Sequence, residues 1–227
     1  MTLLVMTPLD EEFTYLERSI TSAGYLSKSV RVGPIRTTKF VDLGVTMAHG
    51  GHGKTQMGVQ TRYLLDRLDG INSVVCAGAA GAISGSLAVG DVVAATLTIE
   101  HDYQLKFVTR PLPAFPGDSG LLKRLERVEH RDGFGLFFGF VASGDEDVID
   151  LQRGADLAEA TGAMAVAWEG AGAARACTFT DVPFLELRGI TDTANHDAPA
   201  DFETNLEVAM ANIGTVLIEL TSRNPTR

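Results

Sequence analysis

The sequence predicts an α/β fold, with a mostly parallel or mixed sheet covered by helices on both faces. Short apolar runs alternate with longer segments of helical period along the whole chain. No repeat, low-complexity tract or Pro/Ser-rich linker interrupts them, so residues 1–227 read as a single domain. Apolar residues make up 45% and charged residues 21% of the chain, which excludes a disordered or fibrous class.

The elements follow in order. Thr2–Met6 is an apolar run of strand length. Leu9–Ala23 follows as a helix, with Asp10, Glu11 and Glu12 in the first turn, where acids complement the helix dipole. Arg36–Ala48 contains one or two strands. Thr55–Leu68 is a helix, with Met57, Leu64, Leu65 and Leu68 at helical spacing. Asn72–Cys76 is a β-branched strand. The uncharged stretch Ile71–Gly90 around it is rich in Gly, Ala and Ser. It reads as a buried strand plus a tight glycine turn rather than a membrane span. Asp91–Ile99 and Phe137–Ala142 are strands, Leu151–Thr161 a helix, and Met164–Ala167 a strand. Gly170–Thr180 is a helix of mostly small residues, Phe184–Ile190 a strand, and Phe202–Arg223 a long final helix. The Pro-rich segment Arg110–Pro116 reads as a loop, either a mobile lid or a partner contact.

Lys and Arg number 19 and Asp and Glu 29, for a net charge of −10. Phosphate backbones and anionic lipids both require a basic face, so neither nucleic acid nor membrane is an expected partner. Cys76 and Cys177 match no zinc or redox spacing and read as buried free thiols suited to the cytoplasm. The N-terminus lacks a basic n-region, and no signal peptide is expected. His49, His52, His101, His130 and His196 are scattered and form no metal-ligand pattern, so neither a metal nor a cofactor is expected.

In sheets of this kind ligands collect at the carboxyl ends of strands, so the residues just after each strand are the informative ones. Ala48-His-Gly-Gly-His-Gly-Lys-Thr55 fits a relaxed phosphate-loop pattern between a strand and a helix. A triphosphatase also needs an acid ending a second strand to hold Mg²⁺, and Asn72–Cys76 ends in Ala77-Gly78. A glycine turn with a solvated Lys54 is the plainer expectation. Gly78-Ala-Ala-Gly81-Ala82 lets backbone approach a ligand closely, or packs strand on helix. Glu12 follows the first strand, where a carboxylate can orient a water. Glu169, between Trp168 and Gly170, is costly to bury without partners, and sugar hydroxyls would serve. Asp192 ends Arg188-Gly-Ile-Thr-Asp192 as either a cap or a general acid. Asp145-Glu-Asp147 reads as a solvated acidic loop. Three carboxylates at three strand ends, without a Ser/His/Asp triad, point to proton donation and cation stabilisation.

Taken together, these segments resemble the nucleoside phosphorylase and nucleosidase superfamily, most closely its 5′-methylthioadenosine/S-adenosylhomocysteine nucleosidase branch. The segments that carry the likeness are that of Glu12; Gly51-His-Gly-Lys54; Gly78–Gly81 running to Leu87–Val93 with Glu100-His-Asp102; Ser143-Gly-Asp145; and Trp168–Ala171 through Arg188–Asp192. The resemblance implies a three-layer α/β/α sandwich with a mixed central sheet, a homodimer, and hydrolysis of a purine N-glycosidic bond. On this carry-over Asp192 protonates N7 of the base and Glu12 activates the attacking water. Glu169 holds the ribose hydroxyls, Trp168 packs on the sugar, and Phe202 lines the 5′ side. Ala79, Gly81 and Val148 belong to the same substrate pocket.

The family's aromatic on the purine is here Asp147, which is placed to hydrogen-bond a base edge instead. Its apolar nucleoside-loop residue is His52. Where phosphorylases of the superfamily carry phosphate-binding arginines, this chain has Cys76 and Asp10, and Ala79 replaces the usual Ser. Water is therefore the expected nucleophile. The alternatives are a purine nucleoside phosphorylase, a futalosine hydrolase, and a non-catalytic nucleoside-binding protein on the same fold.

Overall fold

The computed structural model describes residues 2–127 and 133–222. Of the sequence readings, His130 and the expected helix end at Arg223 lie outside them. The described elements are β1 (Leu3–Thr7), α1 (Asp10–Ser22), β2 (Lys28–Val32), β3 (Ile35–Phe40), β4 (Val45–His49), α2 (Lys54–Leu65), β5 (Ser73–Ala82), β6 (Val92–Glu100), β7 (Ala114–Pro116), α3 (Ser119–Leu125), β8 (Leu136–Ser143), α4 (Leu151–Thr161), β9 (Ala163–Ala167), α5 (Gly170–Thr180), β10 (Phe184–Asp192) and α6 (Ala198–Thr221).

The sheet is mixed. β1 lies between β4 and β5, parallel to both, and all five of its residues are buried, as expected of a central parallel strand. β5 is also parallel to β10, and its last two residues pair antiparallel with β9. Since β10 pairs β6, β6 pairs β8 and β8 pairs β9, five strands close into a ring. β1, β4, β3 and β2 extend from it as an open wing.

β5 can serve both partners because Gly78, Ala79, Ala80 and Gly81 are small enough for the strand to bend. This corrects the sequence reading, which ended that strand at Cys76 and made the glycines a turn. Three further elements escaped it. β2 is an edge strand whose Lys28, Ser29 and Arg31 are exposed, so it lacks an apolar alternation to read. β7 takes the end of the Pro-rich segment expected as a loop and pairs it with β6. α3 is short and begins where the Asp118 carboxylate accepts the Leu121 N–H at 2.9 Å.

Helices cover both faces of the sheet. α1 and α6 pack together over one face, where Phe13, Leu16, Ile20, Met210, Ile213 and Leu217 join the core with β1 and β10 residues. α2 and α5 cover the other, with Met57, Leu64, Ala173 and Cys177 against Leu4, Met6 and Val74. The small residues of α5 are explained by this contact. A Cβ at Gly172 would lie 2.1 Å from the Lys54 carbonyl oxygen, so the two helices meet backbone to backbone. Among the described residues no helix is long and apolar enough to cross a membrane.

Candidate active site

The carboxyl ends of β1, β5, β9 and β10 open into one cavity of about 490 Å³, within the range usual for small-molecule sites. All ten residues assigned to the pocket from the sequence line it: Glu12, His52, Ala79, Gly81, Asp147, Val148, Trp168, Glu169, Asp192 and Phe202. Glu146 and Glu203 join them, so among the described residues the lining carries six carboxylates and no Lys or Arg.

Glu12 sits one turn into α1 and is buried. Its carboxylate accepts the N–H of Leu9 at 2.8 Å and of Ala79 at 2.7 Å, which ties the start of α1 to the bend of β5. Burial, then the nearby negative charge of Glu169, push its pKa up from 4.5 to about 7, against the pull of the Ala79 N–H and Arg188. Glu169 accepts the Gly53 N–H at 3.2 Å and faces Arg188 at 3.4 Å. Burial raises its pKa as well, opposed by Arg188.

Asp192 ends β10 just past a register shift against β5. Its Oδ1 accepts the Ala194 N–H at 2.9 Å and its Oδ2 the Thr191 hydroxyl at 2.8 Å. The preceding carbonyl, that of Thr191, accepts the Asn205 amide at 2.9 Å, so α6 holds the strand end in place. Burial raises the Asp192 pKa, which favours the protonated, donating form, and its two hydrogen-bond donors oppose this. The glycines of β5 are small for these side chains rather than for a ligand alone. A Cβ at Gly81 would lie 2.7 Å from Asp192 Oδ1; one at Gly78 would lie 2.7 Å from Arg188 Nη1 and 2.8 Å from Glu12 Oε1.

Arg188 was quoted in the sequence only as the start of the Asp192 segment. It is fully buried behind the carboxylates. Nε donates to Glu186 at 2.7 Å, Nη1 to the Ala79 carbonyl at 3.2 Å, and Nη1 and Nη2 both to Glu169. Nη2 also faces the Cys76 thiol at 3.7 Å. Each of its nitrogens therefore meets an internal acceptor. The available signal was opposite charge at i and i+2 of an apolar strand, which places Glu186 and Arg188 on one face. Cys76 and Cys177 are free and buried, and burial raises both thiol pKa values, that of Cys177 to about 12, which leaves them protonated and inert.

The glycine loop before α2 holds anions, but they are the protein's own. The Gly53 N–H is taken by Glu169, and the Lys54 N–H by Asp145 at 2.8 Å. Lys54 is not solvated as expected: its ammonium pairs with Glu100 at 2.9 Å and with Asp102, and only 16% of the side chain is exposed. The donors a triphosphate would need are thus occupied. Asp145-Glu-Asp147 is likewise not a simple solvated loop. Asp145 caps α2, and Glu146 binds Arg153 through two bonds of 2.6 and 2.7 Å. Asp147 is exposed like Asp145, but it faces the cavity. Across the mouth, the His52 and Trp168 rings pack with centroids 4.3 Å apart. Among the described residues no group of three or more His, Cys, Asp or Glu side chains is arranged to hold a metal ion.

Comparison with known proteins agrees with this arrangement. The model of the phosphorylase superfamily matches residues 2–222. A 5′-methylthioadenosine/S-adenosylhomocysteine nucleosidase of an Exiguobacterium species is 30% identical over 191 residues, covering 80% of this chain and 82% of its own. The crystal structure of the nucleosidase of that name from Neisseria meningitidis, in complex with methylthio-immucillin-A, superposes with a TM-score of 0.83 at 26% identity. It covers 96% of this chain and 97% of that one. The native structure of Helicobacter pylori futalosine hydrolase shares the fold, with a TM-score of 0.84 at 23% identity over 97% of each chain. With the ringed mixed sheet, its covering helices and a family match over nearly its whole length, the chain belongs to the phosphorylase superfamily.

Proposed function

We propose that this chain is a purine nucleosidase that hydrolyses the N-glycosidic bond of a 5′-methylthioadenosine/S-adenosylhomocysteine-like nucleoside. The observation that carries the choice of water as nucleophile is the charge of the cavity: among the described residues, six carboxylates line it and no Lys or Arg does. Two guanidiniums bind lining carboxylates: Arg188 has its nitrogens bound to internal acceptors, and Arg153 is held by Glu146. Inorganic phosphate would find repulsion and, among the described lining residues, no cation. A ribosyl cation finds the opposite. The nucleosidases similar to this chain support the same class.

The chemistry follows from the geometry. Asp192 gives its proton to N7 of the base as the C1′–N9 bond breaks and its electron pair passes to the purine. Glu12 takes a proton from the water whose oxygen bonds to C1′. A base with a pKa near the working pH is the efficient one, and Glu12 at about 7 meets that condition. Glu169 accepts from the ribose hydroxyls and stabilises positive charge at C1′, while Trp168 packs on the sugar. On the base side, an ionised Asp147 only accepts hydrogen bonds. It therefore suits adenine, whose exocyclic amino group donates, over purines that present a carbonyl there.

A panel of purine nucleosides, assayed with and without phosphate, tests this reading. Free adenine should appear at the same rate in both, with hydroxyl-terminated sugar as the other product. Release that depends on phosphate would make the chain a phosphorylase. Binding without turnover across the panel would make it a non-catalytic binder.

The assembly belongs to the same proposal. Tyr103, Leu105, Phe107 and Val108 are exposed, Phe107 completely, as are Phe138 and Phe140 of β8. Apolar exposure of this kind marks a contact surface, and a homodimer would cover it. Sedimentation equilibrium should give twice the chain mass, with Phe107→Glu shifting it to one; a monomeric wild type would refute the dimer. The two unpaired cysteines support a cytoplasmic setting.

A further inference from the structure

Glu186 is a buried charge for which the reaction has no use. It is fully inaccessible, does not line the cavity, and lies between Leu185 and Leu187 in β10. One carboxylate oxygen accepts Arg188 Nε at 2.7 Å, and the other accepts the Thr98 hydroxyl from β6. Gly170, at the start of α5, gives it room: a Cβ there would lie 2.2 Å from both carboxylate oxygens. Replacing a buried ion pair with apolar side chains is often neutral or stabilising. Stability alone therefore gives a weak account of a site in which a glycine, a threonine and an arginine are all shaped around one carboxylate.

Its position suggests another account. Arg188 stands between two carboxylates: Glu186 on its Nε side and Glu169 on its Nη side. Glu12 lies against the same guanidinium across Gly78. One cation thus serves three buried acids.

We propose that Glu186 is a positioning residue: it fixes the Arg188 fork by its Nε edge and neutralises part of its charge, so that Glu12 retains the affinity for a proton that a general base needs. With Glu186 absent, the whole Arg188 charge acts on Glu169 and Glu12. Glu12 then holds its proton less tightly and is a weaker base. The idea rests on the reading of Glu12 as the base, but its physical content is the coupling of two side chains and can be measured without turnover.

The test is the titration of the Glu12 carboxyl by ¹³C NMR in the full chain, assigned with Glu12→Gln, in wild type and in Glu186→Gln. The midpoint of Glu12 should fall by about one pH unit in the variant, the lower end of what an opposite charge at close range produces. An unchanged or raised midpoint in the folded variant overturns the proposal, whether or not the nucleosidase reading survives. Arg188 keeps Glu169 as a counter-charge, so Glu186→Gln is expected to fold. If it does not, Glu186→Asp withdraws the same charge by one methylene. It should lower the midpoint by less, and no change would again refute the coupling. The kinetic counterpart is a reduced kcat with KM little changed in Glu186→Gln, which loss of folded protein would not mimic once active sites are counted.

Discussion

Asp192→Asn is expected to lower kcat by about 10²–10⁴-fold, the usual contribution of a positioned general acid. The substitution is nearly isosteric. An Asn oxygen can still accept the Ala194 N–H that now reaches Asp192 Oδ1 at 2.9 Å, and the Asn205 bond to the Thr191 carbonyl is untouched. The strand end and the cavity should therefore persist. What is lost is a transferable proton, since an amide can donate a hydrogen bond to N7 but cannot protonate it. Without that proton the purine leaves as an anion, and the barrier to C1′–N9 cleavage rises accordingly. Nucleoside affinity, read by calorimetry on the inactive variant, should change by only a few fold. The measurement that decides is single-turnover base release. A rate within a few fold of wild type would remove Asp192 from the acid's role.

Glu12→Gln should have a comparable effect on turnover, about 10²–10⁴-fold, because the water then has no base to take its proton. It should also change how stability depends on pH, and the sign can be worked out. The carboxyl titrates at 4.5 when exposed and at about 7 in the folded protein. Between those values the folded state binds more protons than the unfolded state, so stability falls as pH rises through the interval. Below it the burial costs little, because the group is neutral in both states. Glutamine carries no charge and lacks this dependence. Urea unfolding of the variant and wild type at pH 4.5 and pH 7.5 should therefore diverge. Wild type should lose ground to the variant on the order of 2–3 kcal/mol between the two. Parallel stability curves would mean that Glu12 is not held as a buried, proton-retaining carboxyl. The two readouts are independent: the kinetic one concerns the water, the thermodynamic one the desolvation of the carboxyl.

Much of this site is legible before any coordinates. Glu12, Glu169 and Asp192 each follow an apolar run, and a residue that follows a strand in a two-layer-covered sheet is placed at its carboxyl end by topology alone. Their shared cavity follows from that rule. The glycine segment was legible as a place of close approach but not as to what approaches. The space belongs to Glu12, Arg188 and Asp192 side chains as much as to a nucleoside. The loop before α2 fits a relaxed phosphate-loop pattern, but its plainer reading is a glycine turn with a solvated Lys54. Its N–H groups do bind anions, yet those are Glu169 and Asp145 of the same chain.

By itself, then, the sequence determined the α/β class, the order of the main strands and helices, and the three acids at strand ends. Each of these depends on local pattern: the periodicity of apolar residues and what directly follows a run. The closed ring of strands, the pairing of Lys54 with Asp102, the Ala79 N–H on Glu12 and the Arg188–Ala79 contact were decided by tertiary structure. These last three join residues 48, 67 and 109 positions apart. No periodicity encodes such meetings. They arise because a buried charge must find a counter-charge or a hydrogen bond wherever the packed chain presents one. The proton affinity of Glu12, on which the proposed chemistry turns, is set by such meetings together with its burial.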